Sequence, residues 1–336
     1  MYNNILILGN GFDLDLGLPT QYSDFANSEY WPKAKKKGNN NNVNITDVKN
    51  GLNVYCIQTS KPRLLLEHHL ENKRKLGNWF DLENEILTYS KKSNKKIDND
   101  SENYITQNNI YYSKLQNTLC DYILNAQNNT TINRSSVAYS VIDTILKNGY
   151  FKKIYSFNYT NIKKIIPEFN ITSEIIHLHG KVDDRSIILG VDETPLKKGY
   201  ERFHKSSSKY YNSHNIYNDI THADELVIFG LSFGGIDYCY FENYFKNLST
   251  IKSTPNKKKQ NITIFTKNDD SRLDITSRLR DMNISIQNLY AQSNFKIICS
   301  DDGVNGIDLT KFRDRLIENS EEKHYKSLEF LSNNLR

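Results

Sequence analysis

The feature of the sequence that most constrains its fold is an alternation of strand-like and helix-like segments. Short apolar runs typical of strands occur at residues 153–157, 174–178, 186–191, 225–231, 261–266 and 295–299. The stretches between most of them have helical spacing and cover residues 200–220, 238–248 and 270–282. Strands that alternate with helices favour a parallel sheet covered on both faces. We therefore predict an α/β fold with a Rossmann-like, doubly wound parallel sheet.

The chain begins with another apolar run, Ile5 to Leu8, which ends at Gly9-Asn10-Gly11 and is followed by Gly17-Leu18-Pro19. This order indicates a strand, a tight turn, a short helix and a second turn. Glycines in such a turn let backbone amides approach phosphate oxygens, and the helix N-terminus favours negative charge. Leu14 stands where the dinucleotide fingerprint has a third glycine, so a purely structural turn is the alternative interpretation.

A long segment after the first turn has a different character. Residues 28–60 have no sustained period and are predicted to be a loop or irregular excursion. Apolar side chains then recur at helical spacing over residues 63–90, 110–126 and 137–146. We therefore predict three parts, which are a nucleotide-binding core of residues 1–27 and 149–318, a mostly helical insertion of residues 28–148, and a C-terminal helix of residues 319–336.

Polar residues and glycines follow three further strand-like runs, where open parallel sheets bind their ligands. They are Asn158, His177, His179, Gly180, Gly230, Ser232 and Asp237. Alternate residues of an extended strand share a face, so His177 and His179 are expected to point the same way, with Gly180 leaving room beside His179. A histidine at the end of such a strand favours catalysis, with a packed structural histidine as the alternative.

Residue content argues against several other classes of protein. The four cysteines are far apart, without a C-x-x-C pair, and no third ligand accompanies the two histidines, so we expect no metal. No apolar run approaches the roughly 18 residues that span a bilayer, and we expect a cytoplasmic protein with reduced thiols. The net charge of +5 is spread along the chain, and its lysine clusters lie in polar loops without interleaved aromatics, which argues against nucleic acid.

The order of these motifs resembles that of the sirtuins. The segment Gly9 to Asp13, followed after three residues by Gly17 to Pro19, resembles the sirtuin opening Gly-Ala-Gly-x-Ser and Gly-Ile-Pro at the same spacing. The sirtuin motifs Thr-Gln-Asn-Ile-Asp, His-Gly and Gly-Thr-Ser resemble, in order, residues 156–160, 179–180 and 230–232.

Within this group, the chain most resembles the AbiH abortive-infection family of bacterial phage-defence proteins. The hallmark of that family resembles residues 10–13, 17–20 and 22–25, and residues 79–83 also fit it. The resemblance implies a sirtuin-like (DHS-like) NAD-binding fold and an NAD hydrolase of antiviral defence. It implies that Asn158 positions water or ribose and that His179 is the base.

The same resemblance implies a set of residues that bind NAD as substrate or ligand. They are Gly9, Asn10, Gly11, Phe12, Asp13, Pro19, Thr20, Gly180, Gly230, Ser232 and Asp237. Asp13 or Asp237 is expected to contact ribose. Thr160 replaces an aspartate common in sirtuins, which leaves those ribose contacts open, and the sirtuin zinc module has no counterpart, which argues against deacylation.

Two other functions are weighed against NAD hydrolysis. One is a catalytically silent sensor that binds NAD or a related nucleotide and signals to a partner in phage defence, which the residue at position 160 favours. The other is a nucleic-acid effector, for which the sequence offers only scattered basic loops and no clustered carboxylates. The sequence leaves open whether the chain forms a homo-oligomer or binds a partner protein of its defence system.

Overall fold

The computed structural model describes residues 3–31, 33–36, 43–46, 53–56, 65, 79–91, 102–146, 151–192, 194–211, 215–234, 237–250, 259–303 and 312–316. Its strands are β1 (Asn4–Leu8), β2 (Lys33–Lys36), β3 (Val43–Thr46), β4 (Asn53–Cys56), β5 (Lys153–Ser156), β6 (Glu174–His177), β7 (Glu225–Phe229), β8 (Asn261–Thr266) and β9 (Asn294–Cys299). Its α-helices are α1 (Asn10–Asp15), α2 (Tyr22–Asn27), α3 (Trp79–Ser90), α4 (Glu102–Asn129), α5 (Val137–Leu146), α6 (Ile162–Ile165), α7 (Ile216–Thr221), α8 (Cys239–Thr250), α9 (Asp269–Asp281) and α10 (Ile286–Gln292).

The main sheet has six parallel strands in the order β6-β5-β1-β7-β8-β9. This is the strand order of a doubly wound Rossmann-like sheet, in which the chain moves outward from the centre in both directions. β1 pairs with β5 on one side and with β7 on the other. The predicted α/β fold and the predicted place of Ile5 to Leu8 beside the later strands are both confirmed.

The strands at the centre of this sheet bury side chains on both faces. In β1, Ile5 and Ile7 join one apolar cluster, whereas Leu6 and Leu8 join another. β7 divides in the same way, with Leu226 and Ile228 in the first cluster and Val227 and Phe229 in the second. Successive side chains of a strand point to opposite faces, so an uninterrupted apolar run is what a doubly covered strand requires.

The chain forms two compact units, and the first contains the parallel sheet. It comprises residues 1–18, 130–178 and 213–336. The second comprises residues 19–129 and 179–212. These units group residues 130–148 with the sheet and residues 179–212 with the helices, whereas the boundaries predicted from the sequence lie at residues 27 and 149.

The second unit is held together by aromatic packing and buried polar contacts. Tyr22 and Phe25 pack edge-on against Trp31, with ring centroids 5.7 Å and 5.1 Å apart. Farther along, Lys205 forms a largely buried ion pair with Glu83 of α3, with Nζ 3.0 Å from Oε1. None of the helices in the described ranges is long and apolar enough to cross a membrane.

Three local predictions were wrong. Residues 28–60 were predicted to be irregular, but β2, β3 and β4 form a three-stranded antiparallel sheet there. Residues 186–191 do not form a strand, since the only pairing of the segment among the described residues is an isolated bridge between Val191 and His204. Residues 200–220 hold two short 3₁₀ turns and α7 rather than one helix.

Four predicted helices are confirmed, and one lies outside the described residues. The helices predicted at 137–146, 238–248 and 270–282 are confirmed as α5, α8 and α9. The predicted helix at 110–126 is confirmed within the longer α4. The predicted C-terminal helix at 319–336 lies outside the described residues.

The start of α5 depends on a carboxylate from the end of α1. Oδ2 of Asp15 accepts the N–H of Ala138 at 2.6 Å, and so satisfies a donor in the first turn that has no partner within the helix. We expect Asp15→Ala to lower the free energy of unfolding by about 1–2 kcal/mol, the usual effect of losing a cap. Asp15→Asn keeps an acceptor oxygen and should lose less. Urea denaturation measures both, and equal losses would contradict the capping role.

Candidate functional site

The candidate site lies at the carboxyl ends of the central strands. The strand order reverses between β1 and β7, and open α/β sheets bind ligands outside the strand ends at such a point. Three turns of the first compact unit follow strands there. They are the turn at Gly9–Gly11 after β1, the segment from Phe157 to Asn161 after β5 and the loop from Gly230 after β7.

The turns after β1 and β7 touch through their glycines. The N–H of Gly9 donates to the carbonyl of Phe229 at 2.8 Å, and that of Gly11 donates to the carbonyl of Gly230 at 2.9 Å. A Cβ on Gly9 would lie 2.6 Å from the carbonyl oxygen of Gly230, and one on Gly11 would lie 2.6 Å from its Cα. The glycines therefore permit close contact between two turns, and the two N–H groups predicted to hold phosphate are bonded within the protein.

Phe12 is also used by the interior of the protein. Its ring is buried and packs edge-on against Phe229, with centroids 5.5 Å apart. Its N–H donates to the carbonyl of Gly9 at 2.9 Å, and its own carbonyl accepts the N–H of Leu16 at 3.1 Å. Phe12, which the sequence predicted to bind a cofactor, thus fixes the turn by packing and by backbone hydrogen bonds.

Asn158 links the turn after β1 to the segment after β5. Its Nδ2 donates to the carbonyl of Gly9 at 3.0 Å and to Oδ1 of Asp13 at 2.8 Å. A side-chain amide has two hydrogens, so both are committed and Oδ1 is the group that Asn158 can offer to a ligand. Oδ1 only accepts hydrogen bonds, which suits a water molecule or a ribose hydroxyl.

Asp13 lies buried behind Asn158. Its Oδ2 accepts the hydroxyl of Thr160 at 2.7 Å, so both carboxylate oxygens have intramolecular partners. Burial raises the pKa of Asp13 to about 7, although the hydrogen bonds from Thr160 and Asn158 act in the opposite direction. The side chain of Thr160 is thus directed at Asp13 in the interior of the protein.

His177 supports the same segment from β6. Its Nδ1 lies 3.2 Å from the carbonyl oxygen of Asn158. A carbonyl only accepts hydrogen bonds, so Nδ1 is the protonated nitrogen in this contact. His177 therefore holds the backbone at Asn158 through this hydrogen bond, a contact that its position in the sequence does not reveal.

His179 and Gly180 belong to the second compact unit. β6 ends at His177, and residues 178–179 form a turn, so the alternation that predicted a shared face for the two histidines stops before His179. His179 is buried, and its carbonyl accepts the N–H of Ile188 at 2.8 Å. Gly180 has a φ of +72°, and a Cβ there would collide with the carbonyl of Ser186, so the room beside this glycine is occupied by backbone.

The other predicted ligand residues have varied surroundings. Pro19 and Thr20 lie in the second unit, where the carbonyl of Pro19 accepts the hydroxyl of Tyr122 at 2.6 Å. In the first unit, Asn10 is the first residue of α1 and is partly exposed. Ser232 is exposed in the loop after β7, and Asp237 is half-buried just before α8. Their predicted contacts with NAD stay predictions.

The sequence alone does not show that Asp13, Asn158 and Thr160 combine into one buried network. The signal available was position 160, where Thr160 replaces the aspartate of the motif that this segment resembles. Within the described ranges, no group of three or more His, Cys, Asp or Glu side chains is arranged to hold a metal ion.

The contact between the two glycine turns predicts a large effect of a small substitution. Gly230 has a φ of +69°, and a Cβ there would collide with the backbone nitrogen of Phe12. Gly303 has nearly the same φ, +70°, with nothing within 4 Å of its Cβ position. We expect Gly303→Ala to cost about 1–2 kcal/mol for the left-handed conformation and Gly230→Ala at least about 3 kcal/mol in the free energy of unfolding. Equal costs would argue against the contact.

The buried carboxyl of Asp13 predicts that stability depends on pH. Its folded pKa of about 7 lies above the unfolded value near 4, so the folded state binds more protons between these values. The free energy of unfolding should therefore fall as pH rises from about 4 to 7, by at most about 1.4 kcal/mol per pH unit from this group. Asp13→Asn should remove that fall, and Thr160→Val should extend it to higher pH. Urea denaturation across this range provides the measurement, and an unchanged slope in Asp13→Asn would contradict it.

Comparison with known protein families identifies the chain. A family model described as bacteriophage abortive infection AbiH matches residues 5–256, well over half of the 336 residues. The match includes both glycine turns and Asn158. No curated protein and no solved structure matches the chain. The chain therefore belongs to the AbiH family of bacteriophage abortive infection proteins, and this membership implies a role in phage abortive infection.

Proposed function

We propose that this protein is an NAD⁺ hydrolase, which stops the growth of an infected cell by depleting NAD. The observation that carries the proposal is the state of Asn158, whose two amide hydrogens are used by Gly9 and Asp13. Its Oδ1 is thereby oriented as an acceptor where a doubly wound sheet binds nucleotides. The resemblance of the motifs to those of the sirtuins supports NAD as the nucleotide.

Cleavage of the bond between nicotinamide and ribose depends more on a well-placed hydrogen-bond acceptor than on a strong acid. Nicotinamide leaves as a neutral molecule when its bond to C1′ of the ribose breaks, and positive charge develops at that carbon. A water oxygen then forms the new bond to C1′ and loses one proton. Asn158 orients the water or a ribose hydroxyl through Oδ1, and the resemblance assigns the proton acceptor to His179.

Asp13 acts on this chemistry through Asn158. Its carboxylate holds Nδ2 at 2.8 Å and so fixes which end of the amide is turned away from the network. Without that contact, the amide would be free to rotate and could present hydrogens in place of Oδ1. In this proposal Asp13 is therefore a positioning residue, and Asp237 is the candidate for the ribose contact.

A catalytically silent nucleotide sensor is the second candidate. It is favoured by the hydrogen bonds that commit the N–H groups of Gly9 and Gly11 to the turn after β7. It is also favoured by Thr160, whose hydroxyl is bonded to Asp13. Such a protein would bind NAD without cleaving it and would act through a partner in the defence system.

Incubation of the protein with NAD⁺ and measurement of free nicotinamide separates the two candidates. If His179 is the base, His179→Ala should lower turnover by about 10²- to 10⁴-fold and leave ADP-ribose affinity nearly intact. His177→Ala is the matched control, and we expect a smaller loss because His177 touches the backbone of Asn158 rather than substrate.

Each outcome of this experiment decides between the candidates. Nicotinamide release that depends on His179 supports the hydrolase. ADP-ribose binding without release supports the sensor. Equal losses in the two histidine variants would argue for a shared structural role, and full activity of His179→Ala would refute the proposed base. A protein that neither binds nor cleaves NAD overturns both.

A further inference from the structure

The loop that follows β7 carries a run of backbone N–H groups for which the described residues provide no acceptor. Gly230 still donates its N–H to the carbonyl of Phe265 at 2.9 Å. For the next four residues, 231–234, no hydrogen bond of the N–H group is present among the parts of the chain that the structure describes. Leu231 and Phe233 are buried, whereas Ser232 is exposed and Gly234 is half-buried. Backbone N–H groups without an acceptor in the protein bond to water or to a ligand, so this run offers donors to a ligand.

A guanidinium group lies against this loop. A Cβ on Gly234 would be 2.6 Å from Nη1 and 2.9 Å from Cζ of Arg278, a half-buried residue of α9. Arg272 on the same helix forms an ion pair with Asp269 at 3.0 Å. Arg278, by contrast, forms no ion pair and no side-chain hydrogen bond with any residue in the described ranges. A positive charge to which the described residues offer no acidic partner therefore lies against a loop whose N–H groups have no acceptor among those residues.

The backbone of the loop is held in an uncommon conformation. Phe233 has a φ of +53°, which costs a non-glycine residue energy unless its surroundings impose it. Its ring is buried and packs edge-on against Phe241 and Phe245 of α8, with centroids 5.2 Å and 5.8 Å apart. These ring contacts anchor the loop on α8, so its N–H groups are held in place before any ligand binds.

From this arrangement we infer that residues 231–234 and the guanidinium of Arg278 form an oxyanion site that binds a phosphoryl group. Backbone N–H groups and a forked guanidinium are the donors that proteins use for phosphate oxygens. Ser232 adds an exposed hydroxyl to the same loop. Gly234 has no side chain, which allows the guanidinium to lie against the backbone.

This inference deepens the proposed function and rests on it for the identity of the nucleotide. The N–H groups of Gly9 and Gly11, where a Rossmann-like sheet would hold the pyrophosphate, are bonded to the turn after β7. In this arrangement the NAD pyrophosphate is bound by residues 231–234 of the loop after β7 and by Arg278. No sequence motif includes Arg278.

Calorimetric titration with inorganic pyrophosphate and with ADP-ribose tests the site without turnover. We expect Arg278→Gln to weaken both affinities by about 10- to 100-fold, the effect of losing charged hydrogen bonds. Gly234→Ala keeps every charge but places a methyl group against the guanidinium, and should weaken binding similarly. Because the displaced atoms are the end of a flexible side chain, this variant should fold. Arg280→Gln, an exposed arginine on the same helix, is the matched control and should bind like the wild type.

Two results would overturn the site. One is a wild-type protein that binds neither pyrophosphate nor ADP-ribose. The other is an equal loss in Arg278→Gln and Arg280→Gln, which would indicate attraction by general positive charge. Failure of the proposed function is distinguishable, because pyrophosphate binding that depends on Arg278 would then persist while no nicotinamide is released from NAD⁺.

Discussion

The close contact between the turn after β1 and the turn after β7 is the constraint on which the candidate site depends. Gly9, Gly11 and Gly230 meet backbone to backbone, and a methyl group on any of them would collide with its neighbour. The contact fixes the carboxyl end of the central strand pair and uses two N–H groups that would otherwise face a ligand. The donors and acceptors that serve a ligand must therefore come from the segment after β5, which holds Asn158, and from the rest of the loop after β7, residues 231–234.

The buried carboxyl of Asp13, close to the turn after β1, affects both the stability of the protein and the geometry of the candidate site. Asp13 accepts hydrogen bonds from Asn158 and Thr160, and burial raises its pKa to about 7. The energetic cost of keeping an ionisable group in the interior is offset in part by these bonds. The hydrogen bond from Asn158 to Asp13 also orients the amide of Asn158. Asp13 therefore has an energetic cost in the folded state and at the same time determines the direction of Oδ1 of Asn158.

The sequence predicted the parallel sheet because its strands have a direct signature. A strand covered on both faces has a nearly continuous apolar run, and β1 from Ile5 to Leu8 and β7 from Leu226 to Phe229 have such runs. Prediction failed where an apolar run had another cause. Residues 187–189 are apolar and buried, yet they pair with no strand among the described residues, and Gly190 follows them with a φ of +153°. Periodicity also failed for residues 28–60, where the strands β2 to β4 are only four residues long.

The sequence by itself determined which residue types follow each strand, and so which side chains lie at one edge of the sheet. Only the tertiary structure decided what those residues do. Asn158 and Asp13 are 145 positions apart, and no local pattern shows that the amide of one is held by the carboxylate of the other. Likewise, Arg278 belongs to no motif, and its position against Gly234 appears only when α9 packs beside the sheet. Hydrogen-bond partners across such separations are set by packing, because a donor bonds to whichever acceptor the fold brings within reach.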